Sequence, residues 1–180
     1  LVIWFTPQPA NKTDIKIKNL FIYIEKPTFY MYYSTIKGFK MQSGLYIVGT
    51  PIGNLSDMSP RAIEILRDVD LIAAEDTRVF GKLAQHFDIK TKTVSCHEHN
   101  EREVVDSLVE KIINGQSVAT VSDAGMPGIS DPGFRLIRAA RAAHVPVFVV
   151  PGPTAAISAL VLTGFPTDRF TFCGFFDEKK

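Results

Sequence analysis

From residue 44 onward, short apolar runs alternate with segments in which apolar residues recur at helical spacing. Continuous apolar runs are typical of strands covered on both faces, and they predict strands at residues 45–48, 71–74, 117–121 and 145–150, with a shorter one around Val94. Helical spacing predicts helices that begin near Ser59, Thr77, Asn100, Asp131 and Thr154. Single helices between strands imply right-handed crossovers, and therefore an α/β fold: a mostly parallel sheet with helices on both faces.

Capping residues indicate where these helices begin. Ser59 followed by Pro60 starts the first helix, because serine accepts a hydrogen bond from an unpaired N–H and proline suits the first turn. Asn100 with Glu103 predicts a capping box for the third helix. The Asp-Pro pair at residues 131–132 is expected to begin the fourth.

Residues 1–40 differ in kind from the rest, with poor alternation and six lysines against two acidic residues. The remaining residues carry 14 basic and 17 acidic groups, a net charge of −3, and show no basic stripe typical of a nucleic-acid face. We interpret residues 1–40 as a non-native or upstream extension before a start at Met41; a genuine extension packed on the domain is the alternative. Its apolar residues 20–24 predict a short strand.

The cysteines and the apolar runs favour a cytoplasmic protein. Cys96 and Cys173 lie far apart without metal-ligand or redox spacing, so neither a disulfide framework nor a zinc ribbon is indicated. The apolar run at residues 20–24 is too short for a signal peptide or a membrane span.

Three unusual loops follow predicted strands, and ligands on parallel sheets bind at the carboxyl ends of the strands. The first, residues 49–55, has no phosphate-binding motif, and Pro51 removes a possible N–H donor; a simple glycine turn is the alternative. The second, residues 122–133, exceeds the usual two to six residues or so of such connections. Its glycines, its bare carbonyls and Asp123 suit adenine, ribose hydroxyls and a cationic sulfonium, whereas the alternative is a rigid structural loop. The third, residues 151–156, either lines a pocket or merely caps a helix through Thr154.

Two further clusters carry polar chemistry. Glu75, Asp76 and Arg78 follow the second strand, either as a substrate-orienting group or as a helix cap with a surface ion pair. Residues 96–99, Cys-His-Glu-His, lack the additional ligands that a metal site requires, so no metal is expected. His97 or His99 could instead position a substrate.

The sequence from about residue 44 to 174 resembles the ribosomal RNA small-subunit methyltransferase I family, a branch of the tetrapyrrole methylase superfamily. The resemblance rests on Gly-Thr-Pro-Ile-Gly-Asn-Leu at residues 49–55, Ala-Ala-Glu-Asp-Thr-Arg at 73–78, residues 121–133, Pro-Gly-Pro at 151–153, and Asp-Arg-Phe at 168–170 with Gly-Phe at 174–175. It implies 2′-O-methylation of a cytidine in 16S ribosomal RNA of the small ribosomal subunit, with S-adenosylmethionine as methyl donor, by a two-domain homodimer.

The resemblance also implies roles for individual residues. Glu75, Asp76 and Arg78 match the substrate-side cluster. Met126 stands where many relatives have threonine, so a backbone contact would survive there and a hydroxyl contact would not. The residues that match the cofactor pocket are Pro51, Ser122, Asp123, Ala124, Gly125, Met126, Ile129, Thr154 and Ala155.

We therefore expect residues 41–168 to form a tetrapyrrole-methylase-like N-terminal domain, and residues 169–180 to begin a linker or second domain that is truncated. A fragment of this kind is expected to be inactive alone. Two alternatives remain at this stage: a methyltransferase with a tetrapyrrole-type small-molecule acceptor, since fold does not fix substrate, and a non-catalytic module.

Overall fold

The computed structural model describes residues 3–4 and 41–174, and its central feature there is a five-stranded parallel sheet. A separate antiparallel pair joins β1 (Ile3–Trp4) to β7 (Thr171–Phe172). The sheet has the order β4-β3-β5-β2-β6, and its strands are β2 (Gly44–Val48), β3 (Leu71–Ala74), β4 (Thr93–Ser95), β5 (Ser117–Val121) and β6 (Val147–Val150). The strand expected at residues 20–24 lies outside the described residues.

Helices cover both faces of this sheet, which confirms the predicted fold class. They are α1 (Pro60–Asp68), α2 (Thr77–His86), α3 (Glu101–Ile113), α4 (Phe134–Ala142) and α5 (Ala155–Leu162), and a short 3₁₀ helix spans Leu55–Asp57. Helices α1 and α2 share one apolar core with the sheet, and helices α3 and α4 share the other.

Alternate side chains of each central strand enter opposite cores, because successive residues of a strand point to opposite faces. Tyr46 and Val48 of β2 pack with α1 and α2, whereas Leu45 packs with α3 and α4. Every residue of β2, β3 and β5 is buried. Burial on both faces explains why these strands read as continuous apolar runs.

The capping predictions have mixed outcomes. The hydroxyl of Ser59 accepts a hydrogen bond of 3.1 Å from the N–H of Ala62, so the start of α1 is confirmed. The capping box at α3 was wrong. The side chain of Asn100 instead accepts a hydrogen bond from the N–H of His97 at 2.8 Å and donates one to the carbonyl of Ser95 at 3.1 Å.

Two elements begin later than predicted. Helix α4 begins at Phe134 and not at residues 131–132, because Gly133 has a φ of +115° that ends the preceding loop. Strand β6 begins at Val147 and not at Val145. The N–H of Val145 still bonds to the carbonyl of Ala140 in the turn after α4, and Pro146 has no N–H to offer a neighbouring strand.

The last helix is poorly covered. Among the residues of α5 only Leu160 is buried, whereas Val161 and Leu162 are 67% and 88% exposed. Val149, on the neighbouring edge strand β6, is 53% exposed. Helix α5 has only eight residues. No helix in the described part of the chain is long and apolar enough to span a bilayer.

Candidate functional site

Backbone hydrogen bonds join the loop after β2 to the loop after β5. The N–H of Thr50 donates to the carbonyl of Gly125 at 2.9 Å, and the N–H of Gly125 donates to the carbonyl of Thr50 at 3.1 Å. The buried hydroxyl of Thr50 donates to the carbonyl of Ser122 at 3.1 Å. Because β2 and β5 are neighbours in the sheet, their carboxyl ends place residues 49–55 and 122–133 side by side.

The loop after β6 contacts the loop after β2 through two glycines. A Cβ atom added to Gly152 would lie 2.8 Å from the Cα of Gly49, and one added to Gly49 would lie 2.7 Å from the Cα of Gly152. Contacts this short are not tolerated, so both positions require glycine for the two backbones to approach. The third loop, residues 151–156, is therefore fixed against the first.

The long loop of residues 122–133 folds back on itself. Gly125 and Gly133 have φ values of +83° and +115°, which other residues rarely adopt. The N–H of Gly128 donates to the carbonyl of Pro132 at 3.0 Å and closes the second half of the loop. The loop thus holds a defined shape at the edge of the sheet.

The residues expected to bind the cofactor lie along this edge. Pro51, Ser122 and Gly125 are buried at the junction of the first two loops. Thr154 precedes α5 and makes no side-chain capping hydrogen bond, contrary to the simple capping alternative. The more open members of the set are Met126 and Thr154, which are half-buried, and Asp123, Ala124, Ile129 and Ala155, which are exposed.

A shallow groove runs beside the first and third loops. Its volume is about 480 Å³. Its walls contain no lysine or arginine, and they are formed by Ile52, Asp57, Ser59, Pro151, Gly152, Pro153 and Ser158. The groove has apolar surface and bare backbone, which suit a neutral ring or a cation better than an anion.

A second cleft, of about 420 Å³, opens at the ends of β3 and β4. Asp123 joins it to the long loop, because its N–H donates to Glu75 Oε2 at 3.1 Å and its Oδ1 accepts from the N–H of Asp76 at 3.2 Å. The structure thus brings the polar cluster of residues 75–78 against the long loop. The residues that line the cleft are Glu75, Asp76, Thr77, Arg78, Ser95, His97 and Asp123.

The two acidic residues of the cluster have opposite electrostatic environments. Burial raises the pKa of the Glu75 carboxyl, and the nearby carboxylates of Asp123, Asp131 and Asp76 raise it further, against a hydrogen bond from the Asp123 N–H that lowers it. Hydrogen bonds from the side chain and backbone of Arg78 hold the pKa of Asp76 well below its usual range. Asp76 therefore stays ionised and Glu75 takes a proton more readily.

Asp76 also fixes the direction of Arg78. The guanidinium donates from Nε to Oδ1 at 3.1 Å and from Nη2 to Oδ2 at 2.6 Å. The Arg78 side chain is 88% exposed, so this ion pair adds little stability, and its effect is to orient a cation at the mouth of the cleft. The sequence-based alternative, a helix cap with a surface ion pair, describes the same contacts: the carboxylate also accepts from the N–H of Arg78 at the start of α2.

Sequence reasoning gave too little weight to the turn before α3. His97 and Ser95 line the cleft, and His97 Nδ1 accepts a hydrogen bond of 3.2 Å from the N–H of Asn100. Burial raises the pKa of the neighbouring Cys96 thiol to about 11, so that thiol is inert at neutral pH. Among the described residues no three of His, Cys, Asp and Glu are grouped to hold a metal ion. The only signal for the turn in the sequence was the density of polar residues directly after a strand.

Comparison with known proteins gives one consistent family. Residues 44–178 match the family model described as tetrapyrrole (corrin/porphyrin) methylases. A ribosomal RNA small subunit methyltransferase I of Synechocystis sp. is 56% identical over 135 residues, which are 75% of this chain and 48% of that protein. The protein of the same name in Pseudomonas aeruginosa is 53% identical over 135 residues, again 75% of this chain and 48% of the relative. The resemblance noted in the sequence is confirmed, and the chain spans about half the length of the curated relatives it matches.

Solved structures agree on the fold. Uroporphyrin-III C-methyltransferase of Thermus thermophilus superposes with a TM-score of 0.54 at 26% identity, covering 69% of this chain and 54% of that chain. Diphthine synthase superposes with a TM-score of 0.53 at 17% identity, covering 68% of this chain and 49% of that chain. At that identity the second match supports the fold alone.

The contact between Gly49 and Gly152 predicts a steric effect that can be measured. Gly152→Ala should lower the free energy of unfolding by about 1–3 kcal/mol, because the new methyl group meets backbone that cannot move aside. Gly81→Ala is the matched control: Gly81 lies in α2 with no atom near its missing Cβ, so alanine should raise stability by about 1 kcal/mol. Urea unfolding of both variants is the measurement. Equal effects of the two substitutions would contradict the tight approach of the loops.

Proposed function

Because this chain belongs to the family of tetrapyrrole (corrin/porphyrin) methylases, we propose that it forms the methyl-donor-binding part of a ribosomal RNA methyltransferase. The observation that carries the proposal is the meeting of three loops at one edge of the sheet, through Thr50 with Gly125 and Gly49 with Gly152. Methyltransferases of this type use S-adenosylmethionine as donor. The relatives that share 53–56% identity with the chain carry the name of a ribosomal RNA enzyme.

The chemistry of the loops fits S-adenosylmethionine. A sulfonium is cationic, and the loop edge offers carbonyls and the carboxylates of Asp123 and Asp131, with no lysine or arginine in the groove beside it. Gly49 and Gly152 lack a Cβ where the two backbones pass close to each other, so the first and third loops meet with no side chain between them. We assign donor binding to the nine residues implied by the resemblance, from Pro51 to Ala155.

The acceptor is proposed to be a cytidine 2′-hydroxyl of 16S ribosomal RNA in the small subunit, in the cytoplasm. Arg78, held outward by Asp76, supplies a cation suited to a phosphate at the mouth of the cleft. His97 lines the same cleft and its Nδ1 accepts a hydrogen bond from the N–H of Asn100, so we propose that Nε2 is the atom available to donate to the acceptor. These two side chains suit an anionic acceptor, and the name of the relatives favours a nucleotide among such acceptors.

The chain's residues would act mainly by positioning. Bound S-adenosylmethionine supplies an already activated methyl group, so catalysis depends on alignment of the attacking oxygen and exclusion of water. Glu75 uses Oε2 to hold the Asp123 N–H, and among the described residues nothing donates to its Oε1. We propose that Oε1 accepts the hydrogen bond of the ribose hydroxyl, which orients the oxygen and favours loss of its proton. Asp76 positions Arg78.

The organisation of the chain is part of the proposal. Residues 41–168 would be the N-terminal domain, residues 169–180 the start of a second domain, and residues 1–40 an upstream extension. Because the chain spans about half the length of the curated relatives it matches, we expect the 180 residues to lack methyltransferase activity by themselves.

We propose that the chain also forms a homodimer through α5. Val161 and Leu162 are the most exposed large apolar side chains among the described residues, at 67% and 88%. An apolar patch of this kind is typical of a protein–protein interface. A second copy covers it without a requirement for any other partner.

The proposed reaction can be tested in a chimaera. The residues of this chain that match the Synechocystis relative would replace their 135 counterparts in that protein. We expect the chimaera to transfer labelled methyl groups from S-adenosylmethionine to 30S particles, whereas the 180-residue chain does not. Porphyrinoid acceptors provide the comparison. Methylation of a porphyrinoid instead of 30S particles would contradict the acceptor, and a folded chimaera that binds no donor in calorimetry would indicate a non-catalytic module.

Glu75 and Asp76 should affect the rate in different ways. In the chimaera Glu75→Gln should slow single-turnover methylation about 100-fold, because the attacking oxygen loses its orientation. The parent rate should fall as the pH is lowered through the raised pKa of Glu75, since protonation removes the carboxylate, and the glutamine variant should lack that acid limb. Asp76→Asn should mainly raise KM for the RNA. Exposed Glu64→Gln on α1 is the control, and unchanged rates in both site variants would remove these residues from the mechanism.

The dimer has its own test. Sedimentation of the 180-residue chain should give the mass of two copies, and Leu162→Lys should give one. Ile113→Lys is the matched control, because Ile113 is 61% exposed at the end of another helix. A monomeric parent chain, or dissociation by both substitutions alike, would contradict an interface at α5.

A further inference from the structure

One buried carboxylate links the turn beside the polar cleft to the end of the long loop. Glu101 is the first residue of α3, and it is only 4% exposed. Its Oε1 accepts hydrogen bonds from the N–H groups of Gly133 at 3.1 Å, Arg135 at 3.0 Å and Leu136 at 3.3 Å. These are the N–H groups at the start of α4, more than thirty residues away in the sequence.

Helix α4 depends on this remote cap. Its N-cap residue is Gly133, which has no side chain to accept a hydrogen bond. The unpaired N–H groups of a helix start need an acceptor, and a negative charge is favourable there. Arg135 Nε lies 3.7 Å from Glu101 Oε2, but its side chain is half exposed, so the three N–H bonds hold the carboxylate more firmly than the ion pair does.

The two ends of this link lie in different parts of the site. On one side the N–H of Glu101 donates to the carbonyl of His97 at 2.8 Å, in the turn whose His97 and Ser95 line the cleft. On the other side Gly133 ends the long loop, whose second half is closed by the hydrogen bond between Gly128 and Pro132. Glu101 therefore connects the turn at His97, which lines the polar cleft, to the end of the long loop, to which we assign donor binding.

The first half of the long loop is held independently. Gly125 is paired with Thr50 across the loops, and Asp123 is paired with Glu75. Without Glu101, residues 126–133 would keep the internal Gly128–Pro132 bond, and Gly133 would keep its contact with Pro127 and the hydrogen bond that its carbonyl accepts from the N–H of Ile137 at 2.9 Å. The end of the loop would lose the three hydrogen bonds that tie it and the start of α4 to α3, and it would be held less firmly than the start of the loop.

We propose that Glu101 is a positioning residue that fixes the end of the long loop, residues 122–133, and thereby sets the affinity for S-adenosylmethionine. The inference rests on the proposed function for its ligand, although the link between Glu101 and the loop does not. Glu101 contacts no substrate; it acts through the backbone of Gly133. Loss of the link lowers donor affinity, because binding must then order the loop.

Two variants separate this role from general stability. Glu101→Ala removes the acceptor, whereas Glu101→Gln keeps an oxygen that can accept from the same N–H groups. In the chimaera Glu101→Ala should raise KM for S-adenosylmethionine about tenfold or more with a smaller change in kcat, and Glu101→Gln should recover most of the loss. Glu103→Gln, an exposed glutamate in the same helix, is the control and should leave both constants unchanged.

Amide hydrogen exchange on the 180-residue chain tests the link without any catalytic assay. In Glu101→Ala the N–H groups of Gly133, Arg135 and Leu136 should exchange faster, and those of the distant strand β2 should keep their protection. Unchanged exchange at these three groups, or an unchanged KM in an active chimaera, would overturn the inference. A loss of protection throughout the chain, together with a fall in kcat as large as the rise in KM, would also overturn it, because these results would show a purely structural role. If the parent chimaera is inactive, the proposed function fails, and the exchange measurement still decides whether Glu101 holds the loop.

Discussion

The candidate site depends on the close approach of backbone to backbone at the carboxyl ends of three adjacent strands. The order β5-β2-β6 places these ends side by side, and Gly49 and Gly152 allow the loops to touch where any Cβ would collide. The paired N–H and carbonyl groups of Thr50 and Gly125 then fix the distance between the first two loops. The edge made in this way is built largely from main chain.

The polar cleft depends on the same edge but uses charge instead of close packing. Asp123 belongs to the long loop and pairs with residues 75 and 76 at the end of the neighbouring strand β3, so the long loop and the polar cleft share one residue. The two neighbouring carboxylates are separated in pKa by their surroundings: burial raises that of Glu75, and Arg78 lowers that of Asp76. Different protonation behaviour in adjacent groups is typical of sites in which one carboxylate orients and another interacts with the acceptor.

The position of each element could be predicted because local physical chemistry fixes it. Most residues of β2, β3 and β5 are apolar since both faces of the sheet are covered, and Ser59 with Pro60 begins α1 for reasons of local hydrogen bonding. The starts of two helices were harder to predict. Asn100 turns its side chain toward His97 and Ser95, a few residues before it, instead of capping α3. Helix α4 begins at Phe134, after Gly133 with its positive φ, and its cap comes from Glu101 of another helix.

By itself the sequence determined the alternation of strands and helices, the motifs at the strand ends, and hence the family and the kind of chemistry to expect. Those properties depend on residues that are neighbours in the chain, or on patterns with a period of a few residues. Only the tertiary structure decided which loops meet. It pairs Thr50 of the first loop with Gly125 of the second, and it places Gly152 of the third loop against Gly49 of the first. It also places the turn at His97 beside the cleft. Such contacts depend on the order of strands in the sheet, which places residues about thirty to a hundred positions apart within hydrogen-bond distance.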